Sequence, residues 1–209
     1  IAAINSGSKS VPVPDNGIPL QPGDLKYQDL NGDGVINVFD KRAIGNPNLP
    51  NTILGLSLQA VYKGFSVSVL LQGSFNYSFA VIGTGIEPFQ SQFQPIHQER
   101  WTPDNPVNAA FPRLGTNPTS VNSPTAYFSD YWLVNAHYVR LKTVDIGYQL
   151  PTKLLPFKIN NARIYMSAYN LLTFDNYKKY QQDPEIATNT AGDAYINQRV
   201  INLGIQAGF

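Results

Sequence analysis

Apolar side chains recur at every second position along five segments of the chain. This period of two predicts β-strands, because successive side chains of a strand point to opposite faces of a sheet. The segments are residues 54–61, 65–72, 137–149, 162–173 and 198–209. In the last segment Ile201, Leu203 and Ile205 lie on one face, whereas Asn202 and Gln206 lie on the other. The predicted fold class is therefore all-β.

The faces of these strands fit two kinds of β-protein. One apolar face opposite one polar face is typical of a barrel strand in lipid, but the strands of a soluble β-sandwich alternate in the same way. In the third segment the alternation slips around Lys142 and Thr143, which predicts a β-bulge. The connections between the strands distinguish the two folds better than the strands do.

These connections alternate in length. Residues 62–64 and 150–161 are short links, whereas 73–136 and 174–197 are long ones. Outer-membrane barrels alternate in this way, because their periplasmic turns are short and their extracellular loops are long. If the last strand ends at the periplasmic side, both long connections and the residues before the first strand lie outside the cell. The smallest single-chain barrels use about eight strands, so these five are predicted to be part of a larger antiparallel transmembrane barrel.

Residues 29–40 carry oxygen-bearing side chains at the spacing of a calcium loop. Such a loop takes ligands from positions 1, 3, 5, 7, 9 and 12, uses a backbone carbonyl at position 7 and needs a glycine at position 6. The six ligand positions hold Asp29, Asn31, Asp33, Val35, Asn37 and Asp40. Gly34 occupies the turn position. We predict a Ca²⁺ site here, and the alternative is a plain Asn-Gly or Asp-Gly turn.

The twelfth position sets the expected strength of this site. Asp40 is shorter than the glutamate that usually binds through both oxygens there, so it is expected to use one oxygen or to need a tighter loop. A cage with three carboxylates is also weaker than one with more. The site is therefore expected to be structural and not a calcium sensor.

Composition limits the class of protein that contains these strands. Charged residues make up 14% of the chain, below the roughly 25% of soluble proteins, so much of the surface is expected to face something other than water. A net charge of +1 gives no electrostatic reason for nucleic-acid binding. No run of about 18 apolar residues is present, which excludes a transmembrane helix. Residues 1–6 lack the features of a signal peptide, so an export signal is expected upstream.

No catalytic motif stands out, and the chain is not expected to be an enzyme. A Gly-x-Ser-x-Gly elbow and a complete dinucleotide-binding glycine motif are both absent from the sequence. His97 and His137 are the only histidines and cysteine is absent, which leaves too few ligands for zinc. Asp183 and Glu185 flank Pro184 as a glycosidase pair could, but a solvated turn is the simpler interpretation.

Seven short segments occur in a characteristic order. They are GDLKYQDLNGDG (23–34), IGNPN (44–48), YKGF (62–65), RWTPDNP (100–106), YVRLK (138–142), GYQLP (147–151) and NLLT (170–173). In this order, and followed by a terminal Phe209, they resemble the C-terminal end of the SusC-like TonB-dependent transporters of Bacteroidetes. The resemblance covers nearly the whole chain. The ninth loop position, often acidic in that family, is Asn37 here.

The resemblance implies a barrel of about 22 strands around an internal plug. Such a barrel imports oligosaccharides or peptides with energy from TonB, beneath a SusD-like surface lipoprotein. Residues 1–209 would be its C-terminal segment in the outer membrane, with 1–50 an extracellular region carrying the calcium loop 29–40 and 51–209 the strands and loops. The expected partners are the lipoprotein, the remainder of the barrel and plug, TonB through the missing N-terminal part, the lipid bilayer and the substrate, with no nucleic acid.

Five aromatic residues in or near the end of the first long connection are expected to pack inside it or against the lipoprotein, in preference to a ligand. They are Trp101, Tyr127, Phe128, Tyr131 and Trp132.

Two other interpretations stay open at this point. Residues 29–44 also resemble one half of a dockerin, in which a calcium loop is followed by a helix, here over 38–44. A dockerin has two such halves, and only one is found. The other interpretation is a secreted β-rich carbohydrate-binding or adhesion module with one EF-hand-like calcium loop. A folded protein in buffer without detergent would favour either of these over a barrel.

Overall fold

Strands and short 3-10 helices make up the regular structure of the chain. The computed structural model describes residues 11–83, 86–89, 93–156, 158–176, 178–186 and 195–209. The strands are β1 (Val13–Pro14), β2 (Val35–Ile36), β3 (Thr52–Tyr62), β4 (Phe65–Ala80), β5 (Leu133–Gln149), β6 (Asn161–Asp175) and β7 (Val200–Gly208). The 3-10 helices cover Val38–Asp40, Pro95–Glu99, Asp130–Trp132, Thr152–Leu154 and Lys178–Tyr180. These ranges contain no α-helix, so the all-β prediction is confirmed, and no helix in them is long and apolar enough to cross a membrane.

Five consecutive strands form one open sheet. Strands β3 to β7 are hydrogen-bonded to one another in chain order, as an antiparallel meander. Among the described strands, β3 and β7 have one neighbour each and form the two edges. A segment of a larger barrel has this form, because only closure of the complete barrel removes both edges.

One face of the sheet is apolar and exposed. Between β6 and β7, Ile164 pairs with Ile205 and Met166 pairs with Leu203. Leu203 is 82% exposed and Ile205 is 75% exposed. Soluble monomers rarely expose contiguous apolar surface of this kind, because its transfer out of water is favourable. The face therefore suits the hydrocarbon of a bilayer.

On the opposite face, long side chains lie across neighbouring strands. Arg163 of β6 forms an ion pair with Asp145 and covers Gly147, both on β5. Tyr165 of β6 covers Gly204 of β7, where an added Cβ would lie 2.5 Å from the tyrosine ring. Glycine at these two positions leaves room for the side chain of the adjacent strand.

Two asparagines with positive φ mark interruptions of the strand pattern. Asn170 has a φ of 52°, and beside it the β5–β6 register shifts between Leu141 and Thr143. The predicted bulge is confirmed, and the extra residue belongs to β6. Asn76 has a φ of 58° within β4. Because alternation fails there, the sequence pattern did not reveal that β4 continues to Ala80.

The described residues divide into two compact units. The sheet unit comprises Leu49–Tyr77, Ala136–Asn176 and Tyr195–Phe209. The loop unit comprises the described residues between 11 and 48, between 78 and 135, and between 178 and 186. Its fully buried side chains include Trp132, Phe79, Ile86 and Val81. All the candidate metal ligands lie in the loop unit, within a part called here the calcium segment (residues 23–44). The long connection between β4 and β5 is residues 81–132.

Candidate metal centre

Asp29 organises the first turn of the candidate calcium loop. Its Oδ1 accepts a hydrogen bond from the N–H of Gly32 at 2.6 Å, and its Oδ2 accepts one from the N–H of Gly34 at 2.8 Å. Gly34 has a φ of 83°, in the left-handed region that glycine adopts most readily. The glycine at position 6 therefore makes a sharp turn, as its place in the motif requires.

The next two candidate ligands continue this turn. The N–H of Asp33 donates to Asn31 Oδ1 at 2.9 Å, and the N–H of Val35 donates to Asp33 Oδ1 at 2.8 Å. Asn31 Nδ2 also donates to Asp33 Oδ2 at 2.9 Å. A carboxylate oxygen has more than one lone pair, so these oxygens retain the capacity to bind a cation. Positions 1, 3 and 5 thus present their oxygens along one short loop.

Asp40 closes the loop onto its own beginning. Its Oδ2 accepts from the N–H of Asn37 at 2.9 Å, and its Oδ1 accepts from the N–H of Leu30 at 2.8 Å. These two bonds, that from Asn37 above all, lower the pKa of Asp40, because they favour the charged carboxylate. Asn37 Oδ1 accepts from the N–H of Phe39 at 2.8 Å and begins the 3-10 helix. The position-12 carboxylate is therefore ionised and hydrogen-bonded to position 2.

The parallel pair of β1 and β2 supports the loop without using its seventh-position carbonyl. The N–H groups on either side of Pro14 donate to the carbonyls of Gly34 and Ile36, each at 3.1 Å. These two acceptors flank Val35, and Pro14 has no N–H of its own to donate. The pairing therefore leaves the Val35 carbonyl available as a backbone ligand.

The donor set fits a calcium ion. Carboxylate, amide and backbone carbonyl oxygens are the ligands that Ca²⁺ prefers. The described ranges contain no group of three or more His, Cys, Asp or Glu side chains that could hold a metal ion. An ion in this loop would therefore depend on Asn31, Asn37 and the Val35 carbonyl as well as on the carboxylates.

The segment after the loop departs from the dockerin pattern. The 3-10 helix ends at Asp40, and Lys41 has extended dihedral angles, with φ of −88° and ψ of 137°. The helix considered for residues 38–44 is wrong, since only one short 3-10 helix forms there. The loop is not followed by the helix that a dockerin half requires.

Asp24 joins the calcium segment to the long connection. Its Oδ1 accepts from Arg113 Nε at 2.5 Å and from Asn122 Nδ2 at 2.8 Å. Asn122 Oδ1 in turn accepts from the N–H of Leu25 at 2.8 Å. The Asp24 side chain is 5% exposed, so the low local dielectric strengthens this charged network. No motif indicated the network, because its members lie far apart in sequence.

Tyr27 makes a second link of this kind. Its hydroxyl lies 2.8 Å from the carbonyl oxygen of Val121 and 2.7 Å from that of Tyr127. Its ring centre lies 5.8 Å from that of Tyr127. Burial raises the pKa of Tyr27 from 10.0 to about 12, because it disfavours the charged phenolate. The calcium segment is thus attached to residues 121–127 by a neutral hydroxyl.

Most of the singled-out aromatic residues pack inside the loop unit. Trp132 is 1% exposed, and its ring lies edge-on to Tyr131 with centres 4.9 Å apart. Trp101 covers Gly23, where an added Cβ would lie 2.6 Å from the indole. Phe128 differs from these, because it is 45% exposed.

A cleft of about 690 Å³ opens between the calcium segment and residues 119–130. Its lining includes Leu30, Asn37 and Asp40 from the calcium loop, and Tyr127 and Phe128 from the long connection. Ligand pockets have volumes of about 300 to 1,000 Å³. The cleft is therefore of ligand size and shares part of its wall with the candidate metal site.

The other candidate polar groups have local structural roles. Buried His97 accepts from the N–H of Gln94 through Nδ1 at 2.8 Å, and its Nε2 lies 3.0 Å from the carbonyl oxygen of Ile86. Asp183 Oδ1 accepts from the N–H of Glu185 at 2.9 Å. The first arrangement holds a loop together, and the second is the turn expected for that segment.

Known proteins resemble this chain along most of its length. It is 30% identical over 207 residues to the TonB-dependent receptor P26 of Formosa agariphila, and the aligned region covers 91% of this chain and 20% of that receptor. It is 24% identical over 212 residues to the TonB-dependent receptor SusC of Bacteroides thetaiotaomicron, and the aligned region covers 93% of this chain and 18% of that receptor. The chain thus spans about a fifth of the length of these curated relatives. No protein-family model matches it.

A solved transporter shares the fold. The structure of the RagAB peptide transporter superposes with a TM-score of 0.57 and 25% identity, over 81% of this chain and 19% of that one. The five-stranded sheet of this chain is open and matches about a fifth of that much larger chain. It therefore has the fold of a segment of a β-barrel transporter. The resemblance to the SusC-like TonB-dependent transporters, first indicated by seven short segments, is therefore confirmed.

Proposed function

We propose that this chain is the C-terminal part of an outer-membrane importer of oligosaccharides or peptides. The observation that carries the proposal is the open sheet, with one apolar exposed face, one polar face and two edges that pair with no other described strand. Lipid would cover the apolar face, and the remaining barrel strands would pair with β3 and β7. The similarity to the TonB-dependent receptor SusC supports a receptor of that kind, and the similarity to the RagAB peptide transporter supports peptides as one of the two substrate classes.

Other segments of the importer would supply the parts that drive transport. An internal plug would fill the barrel, TonB would act through the N-terminal part, and a SusD-like lipoprotein would cover the outer entrance. The polar face of β5 and β6, with Arg163 and Asp145, would line the barrel interior. This chain would contribute wall and outer loops, and no catalytic step is assigned to it.

The calcium loop is proposed to face the cell exterior. Two short links, residues 63–64 and 150–160, join strands at one end of the sheet. The long connections 81–132 and 176–199 join strands at the other end. Barrels place short turns in the periplasm and long loops outside. Residues before β3 enter from the long-loop end, because β3 is antiparallel to β4.

At that surface the loop would bind one structural Ca²⁺. The proposed ligands are Asp29, Asn31, Asp33, the Val35 carbonyl, Asn37 and Asp40. Support comes from the turns that already arrange these oxygens and from the bond between position 12 and position 2. Extracellular calcium is concentrated enough to fill sites with dissociation constants near 10⁻⁴ to 10⁻³ M, in order of magnitude. Binding would offset the repulsion among the carboxylates and hold the loop closed.

Import is tested in the parent receptor. We expect the receptor to fractionate with the outer membrane and to need detergent to stay monodisperse. Deletion of its gene is expected to abolish growth on one oligosaccharide or peptide from a panel, with growth on glucose as the control. A receptor that is folded and monodisperse in plain buffer would contradict the barrel, and unchanged growth on the whole panel would contradict an import role.

The metal site has its own test. Asp33→Ala removes a carboxylate ligand, and Asp104→Ala removes an exposed carboxylate of the long connection as a matched control. We expect the Asp33 variant to contain one calcium ion fewer than the control, measured by inductively coupled plasma mass spectrometry after dialysis. Equal calcium contents would show that the ion does not bind at this loop.

A further inference from the structure

The two short links of the sheet unit carry positive charge only. Lys63 lies in the link 63–64, and Lys153 and Lys158 lie in the link 150–160, whereas neither link contains Asp or Glu. We propose that these residues, called here the link lysines, form a binding surface for anionic phospholipids of the periplasmic leaflet. This surface rests on the proposed function, because a headgroup reaches the lysines only where lipid covers the apolar face.

The two links lie side by side at one end of the sheet. The N–H of Gln149 donates to the carbonyl of Gly64 at 2.8 Å, so the turn between β3 and β4 meets the strand end from which the second link begins. After that link, the N–H of Asn160 donates to the carbonyl of Gly208 at 2.8 Å. The link lysines therefore belong to the same end of the sheet, on neighbouring connections.

A row of aromatic side chains lies on the apolar face at this end. Tyr62 and Phe65 form a cross-strand pair, and the ring centres of Phe65 and Tyr148 are 4.5 Å apart. Tyr148 pairs in turn with Ile164 of the apolar face. Directly opposite residues share a face of a sheet, so the row belongs to the face assigned to lipid. In membrane barrels, such rows mark the depth at which hydrocarbon gives way to polar headgroups.

The Lys63 ammonium extends over this aromatic row. Its Nζ lies 5.2 Å from the centre of the Tyr62 ring, and Tyr62 is 70% exposed. A lysine at a membrane interface lays its alkyl stem along apolar surface and keeps its charged head in the polar layer. The ring and the ammonium thus present apolar surface and positive charge side by side, as an acyl chain and its phosphate require.

The positive charge of this end is not neutralised by the rest of the sheet. The link lysines are exposed, and none forms an ion pair with a residue that the structure describes. Of the two aspartates in the strands of the sheet, Asp175 ends β6 at the long-loop end, and Asp145 is paired with Arg163 on the polar face. A carboxylate at Phe209 would offset one of the three lysine charges. The end of the sheet thus keeps a net positive charge for an incoming anion.

Apolar groups beside the lysines favour a lipid over a soluble anion. Leu154 directly follows Lys153 and is 71% exposed. A soluble anion would leave this apolar surface in water, whereas a phospholipid covers it with acyl chain while its phosphate meets the ammonium groups. A phosphatidylethanolamine headgroup carries an ammonium of its own, which competes for the phosphate. The expected occupant is therefore a lipid with a net negative headgroup, such as phosphatidylglycerol.

The test compares two phospholipids on the parent receptor. The receptor is reconstituted into nanodiscs with equal amounts of phosphatidylglycerol and phosphatidylethanolamine, and the lipids that it retains on release are counted by native mass spectrometry. We expect phosphatidylglycerol to be retained at least about fivefold over phosphatidylethanolamine, which is roughly the factor that one basic residue contributes at an anionic lipid surface. High salt during reconstitution is expected to reduce this preference, because exposed charges are screened.

Two charge-removing variants locate the preference. The test variant combines Lys63→Gln, Lys153→Gln and Lys158→Gln. The matched control combines Lys26→Gln, Lys41→Gln and Lys178→Gln, which removes the same charge from exposed lysines of the loop unit. We expect the preference for phosphatidylglycerol to disappear in the test variant and to persist in the control. All the replaced lysines are exposed, so both variants are expected to fold.

Failure of the lipid surface and failure of the barrel give different results. A receptor that enters nanodiscs of neither lipid would contradict the barrel, and the lipid surface with it. A receptor that enters them but retains both lipids equally would refute the lipid surface alone, as would an equal loss of preference in the two variants. Displacement of phosphatidylglycerol by an equal concentration of inorganic phosphate would assign the lysines to a soluble anion. A stronger preference for lipid A, abolished in the test variant, would place this end in the outer leaflet.

Discussion

Replacing Tyr27 by phenylalanine removes the hydroxyl that joins the calcium segment to the long connection. The ring is retained, so the change isolates the hydrogen bonds to the carbonyls of Val121 and Tyr127, at 2.8 and 2.7 Å. Both carbonyls share a single O–H proton and lose their donor together. Loss of the bond, with the carbonyls left partly buried, is expected to cost about 1 to 3 kcal/mol.

Hydrogen exchange at neutral pH measures this cost locally. A loss of 1 to 3 kcal/mol corresponds to about a 5- to 150-fold fall in amide protection, and we expect it in peptides from residues 119–130 of the parent receptor. Tyr131→Phe is the matched control, because its hydroxyl donates to the carbonyl of Ala110 at 2.8 Å instead. Unchanged protection of residues 119–130 in the Tyr27 variant would refute the assigned link.

Alkaline pH tests the same contact by a second route. Because burial raises the pKa of Tyr27 from 10.0 to about 12, the folded chain holds the phenol proton more tightly than the unfolded chain. The resulting stabilisation is complete below pH 10 and is lost as the pH rises through 12, to a limit of about 3 kcal/mol. The Phe variant lacks this titration. The difference in unfolding free energy between the wild type and the variant is therefore expected to decrease between pH 10 and pH 12. A constant difference across that range would show that Tyr27 is not buried as a neutral phenol.

Two further predictions concern the same unit. Gly23→Ala would place a Cβ against Trp101 at a φ of 85° and is expected to destabilise the loop unit by about 2 to 5 kcal/mol. Gly17 has a φ of 71° but open space around it. Gly17→Ala is therefore expected to cost only the backbone strain, about 1 to 2 kcal/mol. Thermal melting of the two variants checks this, and equal melting temperatures would contradict the packing argument. Because the pKa of Asp40 is lowered, the stabilisation of the loop by its carboxylate is present above pH 3.8 and is lost as the pH falls through the lowered pKa. In calcium-free buffer, the amide protons that are hydrogen-bonded to Asp40 are expected to lose their protection from exchange in that pH range. The Asp40→Asn variant is expected to show no such pH-dependent loss.

The strands and the calcium loop were predictable because their signals are local. Alternation along residues 198–209 depends only on neighbouring positions, and β7 lies there. The loop spacing from Asp29 to Asp40 is equally local, and Asp29 and Asp40 accept backbone N–H groups within that loop. Such features are specified by a few consecutive residues and need no knowledge of distant contacts.

Most of the missed features depend on contacts between distant parts of the chain. Asp24 meets Asn122 98 positions later, and the strand pair of Pro14 with Ile36 is too short to leave a repeating pattern. The end of β4 was missed for another reason, because Asn76 reverses the alternation with its positive φ. The cleft could not be predicted at all, since its walls come from segments that only the folded loop unit brings together.

The glycines at 147 and 204 have a consequence for the width of the proposed channel. Arg163 and Tyr165 are among the longest side chains on the polar face, yet each lies across the backbone of an adjacent strand and does not stand upright from the wall. In a barrel with such recesses, large polar side chains lie on the inner surface and narrow the channel only slightly. In the proposed barrel, a larger residue at either glycine would tilt its neighbour into the lumen, so these two positions would limit the space left for a substrate beside the wall.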